Sequence, residues 1–377
     1  MGRLRKRQFR ITGRTRGRLK RKIHKAGRRS GGRRRGLRQQ GGSEGQVRSA
    51  ATVQLAGRAF EAGKQAAPLI DVDAAGRAQA LNDCWNDWRE SFPIRTASWT
   101  AYHDIARHFV QGFESGKGIR LNNPVLVPTR KTIGAVVTAM NEEKALPAVL
   151  DQLGRLPLSE IVIVVNGSTD RTFWSARNLS GGIVVHFVRP LGHDVGRAVG
   201  AKLTRSDILL FLDGDFPVFA EHLVPFVDAV DQGTDVALND ISPYIDVFAN
   251  RDPVSVVKEM LNRSLGRADL EANSMTAVPH ALSRRALETI GCSNLMVPPK
   301  AQSIAVRSGL KVGCAMSVDV ISKNRIRAKN SGHDNPVAHL IVGDHLEAFS
   351  YLLRAEGPRL SSVDDIRNRS VLGRVSS

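Results

Sequence analysis

Cysteine is scarce in this chain. Cys84, Cys292 and Cys314 are the three among 377 residues. They show neither the pairing of a disulfide framework nor the spacing of a metal-binding motif, and a reducing cytosol is the simplest setting for such usage. Aromatic residues make up 5% of the chain. Within residues 1–48 Phe9 is the only aromatic, which excludes a base-stacking surface there. No apolar run approaches the ~20 residues of a membrane-spanning helix. The basic N-terminus lacks the apolar core of a secretory signal, and its few serines argue against an organelle transit peptide. Gly112, Gly116 and Lys117 are one residue short of a phosphate-binding loop, and no Ser or Thr follows the Lys, so that motif is excluded as well.

Acidic residues are almost absent from residues 1–48, where Glu44 stands against 19 Lys and Arg. That segment accounts for nearly all of the net charge of +19, because 36 basic and 35 acidic residues remain elsewhere. With scattered apolar residues it cannot offset its ordering entropy, so residues 1–48 are expected to be a disordered tail. Such a tail suits adhesion to a polyanion (nucleic acid, anionic lipid or a cell-wall polymer). A solvated tail with no specific partner is the alternative. The remainder, in a chain with 42% hydrophobic residues, suits a globular protein. Residues 49–128 show apolar residues at helical spacing, predicting helices over Val53–Ala67, Ala74–Trp88 and Ser98–Phe113. Trp85, Trp88 and Trp99 are expected to pack this segment on the next domain.

From Thr132 the pattern changes. Apolar runs at Ile133–Val137, Ile161–Val165, Ile183–Val188 and Ile208–Leu212 alternate with helical stretches. This predicts an α/β domain over 129–357 with a largely parallel sheet covered on both faces, then a polar tail over 358–377. The run Ile208–Leu212 ends abruptly at Asp213-Gly214-Asp215. A buried strand that delivers two carboxylates to its C-terminal edge can share a hard divalent cation at the place where open α/β sheets bind ligands. An acidic turn would leave the same trace.

The order of motifs resembles glycosyltransferase family 2 on the GT-A fold. The stretch Val136–Glu143 is similar to the family's first strand and its Asn-Glu-Glu turn. Ile161–Thr172 is similar to the second strand and its Ser-Thr-Asp turn. Gly192, Gly196, Arg197 and Gly200 match a glycine-punctuated helix, and Asp213-Gly214-Asp215 falls on the family's Asp-x-Asp. The resemblance implies a nucleotide-sugar donor and a hexosyl transfer to a hydroxyl acceptor. Ala139, Asn141, Glu142, Asn166 and Asp170 would line the nucleoside pocket, with Gly192 beside them. Arg197 would approach the ribose or diphosphate. Asp213 would face the sugar–phosphate end, and Asp215 would hold Mg²⁺ or Mn²⁺. His345 is a candidate third metal ligand.

Two departures matter. Where the family carries an acid against uracil this chain has Val165, which leaves the donor base unassigned. Where the family carries a Glu-Asp pair this chain reads Met296–Gln302, so the usual general base is missing. Asp240 or Glu271 is then expected to serve, at least one of them within reach of the donor pocket. The alternatives are a retaining reaction and a domain that binds without catalysis. Lys300 would clamp the donor phosphate or lie solvated beside a Pro-Pro turn. The basic stretch Lys323–Lys329 would form a mobile lid or an ordinary loop, and Asp344 would sit in the first turn of a helix opening at Gly343. The location expected is the cytoplasm, peripheral to an anionic surface if the tail binds one.

Overall fold

The computed structural model describes residues 50–70, 74–91, 98–245, 251–321, 335–362, 364 and 366–367. The basic tail and the Lys323–Lys329 segment lie outside the described residues.

Three helices come first, α1 (Ala50–Ala66), α2 (Ala74–Arg89) and α3 (Trp99–Lys117). Ser98 caps α3 by accepting from the Ala101 N–H, and Gly118 ends it in a left-handed conformation at φ 70°. Trp85 is fully buried. Its indole N–H donates to the Tyr102 hydroxyl at 2.9 Å, which in turn donates to the Leu126 carbonyl at 3.1 Å. Trp88 and Trp99 are partly buried against the same cluster. The glycines excluded above as a phosphate loop have a different use: Gly112 lets α3 meet the α1 backbone at Phe60, and Lys117 donates to the Ile70 carbonyl.

The α/β part runs β1 (Ile133–Ala139), α4 (Leu146–Leu153), β2 (Glu160–Asn166), α5 (Thr172–Leu179), β3 (Ile183–Phe187), α6 (Val195–Leu203), β4 (Ile208–Asp213) and α7 (Ala220–Asp231). It continues with β5 (Val236–Asn239), α8 (Pro253–Ser264), β6 (His280–Ser283), α9 (Arg284–Ile290), α10 (Pro298–Arg307), β7 (Val312–Met316) and α11 (Pro336–Glu356). The strands form one sheet in the order β3-β2-β1-β4-β6-β5-β7. Only β6 runs antiparallel to its neighbours, so the sheet is mostly parallel. This is the α/β architecture expected from the sequence, a mostly parallel sheet with helices between its strands.

The continuous apolar run of β4 follows from burial on both faces. Leu210 and Leu212 join the cluster that includes α1 and α3, whereas Leu209 and Phe211 join the cluster on the opposite face. One apolar core therefore runs from the N-terminal helices to the strand that ends in the acid pair. Helix α6 lies close on β1: a Cβ at Gly200 would fall 2.3 Å from Val136 Cγ1.

Two sequence readings change. Pro298 and Pro299 open α10 rather than a turn, because Pro is well suited to the first helical positions. Asp344 sits inside α11, which starts at Pro336 after an Asn335 cap, so it is not a first-turn acid. Burial pushes its carboxyl up to about 6, helped by Asp194.

Candidate active site

Parallel β1 and β4 place Thr138 opposite Asp213 at their C-terminal ends. The Thr138 hydroxyl donates to Asp213 Oδ1 at 2.8 Å. Arg197, from the first turn of α6, approaches the same oxygen at 3.6 Å and pairs with Asp194 at 3.0 Å. It also donates to the Met275 carbonyl at 3.2 Å. Burial works against the charge on Arg197, but Asp194 and Asp213 outweigh it and hold the guanidinium protonated. Asp213 is thus fixed by the sheet register below and a buried cation beside it.

Two cavities meet at this pair. The smaller, of about 350 Å³, is walled by Ala139, Glu142, Asn166, Gly192 and Asp194, and the larger, of about 480 Å³, by Arg197, Ile241, Asp252, Lys258 and Val278. Asp213, Asp215, His193 and Val337 line both. Asn166 shapes the smaller one: its Oδ1 accepts from the Leu191 N–H at 2.7 Å and its Nδ2 donates to the Gly192 carbonyl at 2.9 Å. Gly192 adopts φ 112°, a conformation that only glycine takes readily.

Asn141 and Asp170, expected in the nucleoside pocket, line neither cavity. Asn141, at φ 59°, ties the β1 turn to the β2 turn through the Ser168 hydroxyl and the Thr169 N–H. Asp170 accepts from Thr172 and the Glu143 N–H. Burial would raise its carboxyl, yet the bonds from Thr172 and Glu143 hold it below the ordinary 3.8. Both residues are joints behind the wall. Arg197 lines the larger cavity rather than the smaller one.

The base and metal candidates fare differently from the acid pair. Asp240 accepts from the Ser242 N–H and the Asn273 amide, and lies outside both linings. Glu271 is exposed at a left-handed position, also outside both. Neither residue is on the wall of either cavity, although Ile241, next to Asp240, is on the wall of the larger one. Lys300 pairs with Glu347 of α11 at 2.9 Å and lines neither cavity. His345 is fully buried within α11, donating from Nδ1 to the Ile341 carbonyl at 2.6 Å. Burial lowers it to about 4. It does not join Asp213 and Asp215, and among the described residues no three His, Cys, Asp or Glu side chains converge on a point.

Two carboxylates nevertheless suit a hard cation in donor type. Mg²⁺ usually takes one or two protein carboxylates and completes its shell with phosphate and water, so a third protein ligand is not required. Sequence reasoning missed Asp252, Lys258 and His193. Asp252 carried a signal, since Asp before Pro253 is a helix-start pattern: it caps α8 by accepting from the Ser255 N–H at 2.7 Å. The buried amides Asn262, Asn273 and Gln302 were missed too, and no local pattern marks them. Gln302 Nε2 donates to Asn262 Oδ1 at 2.7 Å and its Oε1 accepts from the Met275 N–H at 2.9 Å, which braces the segment that carries Thr276 and Val278 into the cavity.

Among the described residues no helix is long and apolar enough to cross a membrane. The family model "Glycosyl transferase family 2" matches residues 135–291. A 4,4'-diaponeurosporenoate glycosyltransferase of Staphylococcus haemolyticus (strain JCSC1435) is 29% identical over 142 residues, 35% of this chain and 37% of that protein. The chain thus spans little more than a third of that relative. Solved structures of glucosyl-3-phosphoglycerate synthase from Mycobacterium tuberculosis align at 18% identity with TM-score 0.42 for a complex with Mn²⁺, uridine diphosphate and phosphoglyceric acid, covering 62% of this chain and 80% of that one. A complex of the same enzyme with Mn²⁺ and uridine-diphosphate-glucose aligns at 20% identity and TM-score 0.40, covering 62% and 81%. Residues 135–291, less than half of the chain, are thus similar to glycosyltransferase family 2, with the strand edges, glycine helix and acid pair in the family's order.

Proposed function

We propose that this domain transfers a hexosyl group from a nucleotide-diphosphate sugar to an acceptor hydroxyl with divalent-metal assistance. The observation that carries the reading is the meeting of two cavities at Asp213 and Asp215. A donor in the smaller cavity and an acceptor in the larger would bring their reacting atoms together at the acid pair. Asp213 and Asp215 would hold Mg²⁺ or Mn²⁺, which when bound offsets the negative charge that builds on the leaving diphosphate. Thr138 and Arg197 keep the Asp213 carboxylate in one orientation before donor arrives, so little reorganisation is needed at the moment of transfer.

Asp252 supplies what Asp240 and Glu271 do not. Apart from the acid pair, it is the one carboxylate among the described residues on the wall of the larger cavity. We assign it as the base that accepts the acceptor's proton in an inverting reaction. Asp252→Asn should lower kcat by roughly 10²–10⁴-fold, the usual contribution of a positioned base. Its melting temperature should hold, because Asn caps a helix as well as Asp does. An unchanged kcat, with product of retained anomeric configuration, would remove Asp252 and the inverting reading together.

The general test is a melting-temperature panel of nucleotide-diphosphate sugars, with and without Mn²⁺, followed by a turnover assay. Uridine-diphosphate-glucose belongs in the panel. A donor at a hundred times its Kd should stabilise the fold by about 2.7 kcal/mol, and only with metal. Metal-dependent binding with no turnover on any acceptor would favour a domain that binds without catalysis, a reading supported by the missing Glu-Asp pair. No shift with any donor would reject both.

A further inference from the structure

Helix α8 presents Val254, Ser255 and Lys258 to the larger cavity, the i, i+1 and i+4 positions of one helical face. The rest of that wall is largely apolar, formed by Phe216, Ile241, Ile245, Val278, Val337 and Ile341. Several of the other charges on it have partners. Arg197 has Asp194 and Asp213, Arg251 pairs with Glu259, and Asp252 holds the first turn of α8. Lys258 makes no hydrogen bond or ion pair among the described residues. It feels Asp252 and Asp194 only at longer range, with Arg197 opposing them.

An ammonium in an apolar wall loses hydration that only a bound anion restores in full. An apolar wall of this extent gains most from covering by an apolar body, and about 480 Å³ is an ordinary size for a small-molecule site. We propose that the acceptor of this enzyme is an amphiphile, with an apolar body filling the larger cavity and a carboxylate or phosphate monoester held by Lys258. This rests on the reading of the larger cavity as the acceptor side. A lysine suits either anion, since it is a compact point charge and lacks the planar fork that selects one geometry. Lys258 lines the larger cavity and not the smaller one in which the donor is placed. Burial pushes the Lys258 ammonium down to about 8, and a bound anion would draw it back up.

Calorimetry on the full chain tests this with hexanoate, hexyl phosphate, hexanol and inorganic phosphate, each with and without Mn²⁺ and the best-binding nucleoside diphosphate. The wild type should bind hexanoate or hexyl phosphate at least tenfold more tightly than hexanol, and hexyl phosphate at least tenfold more tightly than inorganic phosphate. Lys258→Met, which keeps the apolar stem, should erase the preference over hexanol, and Lys258→Arg should keep most of it. Lys258→Gln provides a second neutral variant should Met disturb folding. Nucleotide affinity should be the same in all four proteins. The proposal is overturned if hexanol binds as well as the anions, if inorganic phosphate matches hexyl phosphate, or if the neutral variants keep the preference. It is also overturned if those variants weaken nucleotide instead. Failure of the wild type to bind any nucleotide would sink the donor reading, while the probe comparison without nucleotide would still decide the role of Lys258.

Discussion

Asp215→Ala should lower turnover about a thousandfold and abolish metal-dependent donor binding, with the fold intact. A cation at the acid pair would contribute several kcal/mol of charge stabilisation, and about 4 kcal/mol is a thousandfold in rate. Asp215 is half-buried at the β4 edge, two residues from Asp213. Removing it takes away one of two like charges at a shared site, so the metal-free melting temperature should hold or rise. Asp213→Ala should behave otherwise. Asp213 is bound by Thr138 and by the buried guanidinium of Arg197, and stripping one partner from a buried charge is destabilising by up to about 3–5 kcal/mol. Calorimetry with a nucleoside diphosphate and Mn²⁺, beside thermal melts without metal, separates the two variants. An Asp215→Ala protein that binds nucleotide and Mn²⁺ like the wild type would end the metal assignment. Equal melting of the two variants would show that Arg197 does not depend on Asp213.

The acid pair, the order of strands and the glycine helix were legible in the sequence because each rests on local pattern. A buried strand between two covered faces must be apolar along its length, and its end is visible as the first carboxylate. Gly196 and Gly200 were legible for the same reason, since close helix–strand approach leaves room for nothing larger. What was not legible is which side chains turn inward. Asn141 and Asp170 sit in the correct turns, but their oxygens are used by neighbouring backbone N–H groups, a competition that spacing does not display. Lys300 was drawn toward the site by its place beside the missing Glu-Asp pair and His345 by the family resemblance, whereas Lys300 pairs with Glu347 of α11 and His345 is buried within α11. Asp252 and Lys258 lie in a segment with no family motif, and they reach the cavity only because α8 is laid along it.

Gly112→Ala should be strongly destabilising, as should Gly63→Ala across the same helix contact, and the effect should reach the sheet. A Cβ at Gly112 would stand 1.9 Å from the Phe60 carbonyl oxygen, and one at Gly63 would stand 1.9 Å from that of Phe109. Both obstacles are helix backbone, which cannot swing aside as a flexible side chain does, so α1 and α3 would have to part along their length. Overpacking of this kind costs about 3 kcal/mol, and more where backbone must move. Helix propensity pulls the other way, since Ala is favoured over Gly by about 1 kcal/mol in a helix interior. The steric clash outweighs the gain in propensity, and the net loss should lower the melting temperature by several degrees. Gly57→Ala is the matched control: it lies in α1 with nothing within 4 Å of the added atom, so propensity acts alone and the melting temperature should rise slightly. The apolar cluster that α1 and α3 build also contains Val137, Ala139 and Leu212. These flank Thr138 and Asp213, so parting the helices should weaken nucleotide binding as well as lower stability. A Gly112→Ala protein that melts like the wild type would mean that α1 and α3 do not pack backbone to backbone. One that loses stability but keeps full nucleotide affinity would mean that the N-terminal helices and the acid pair do not share a cooperative core.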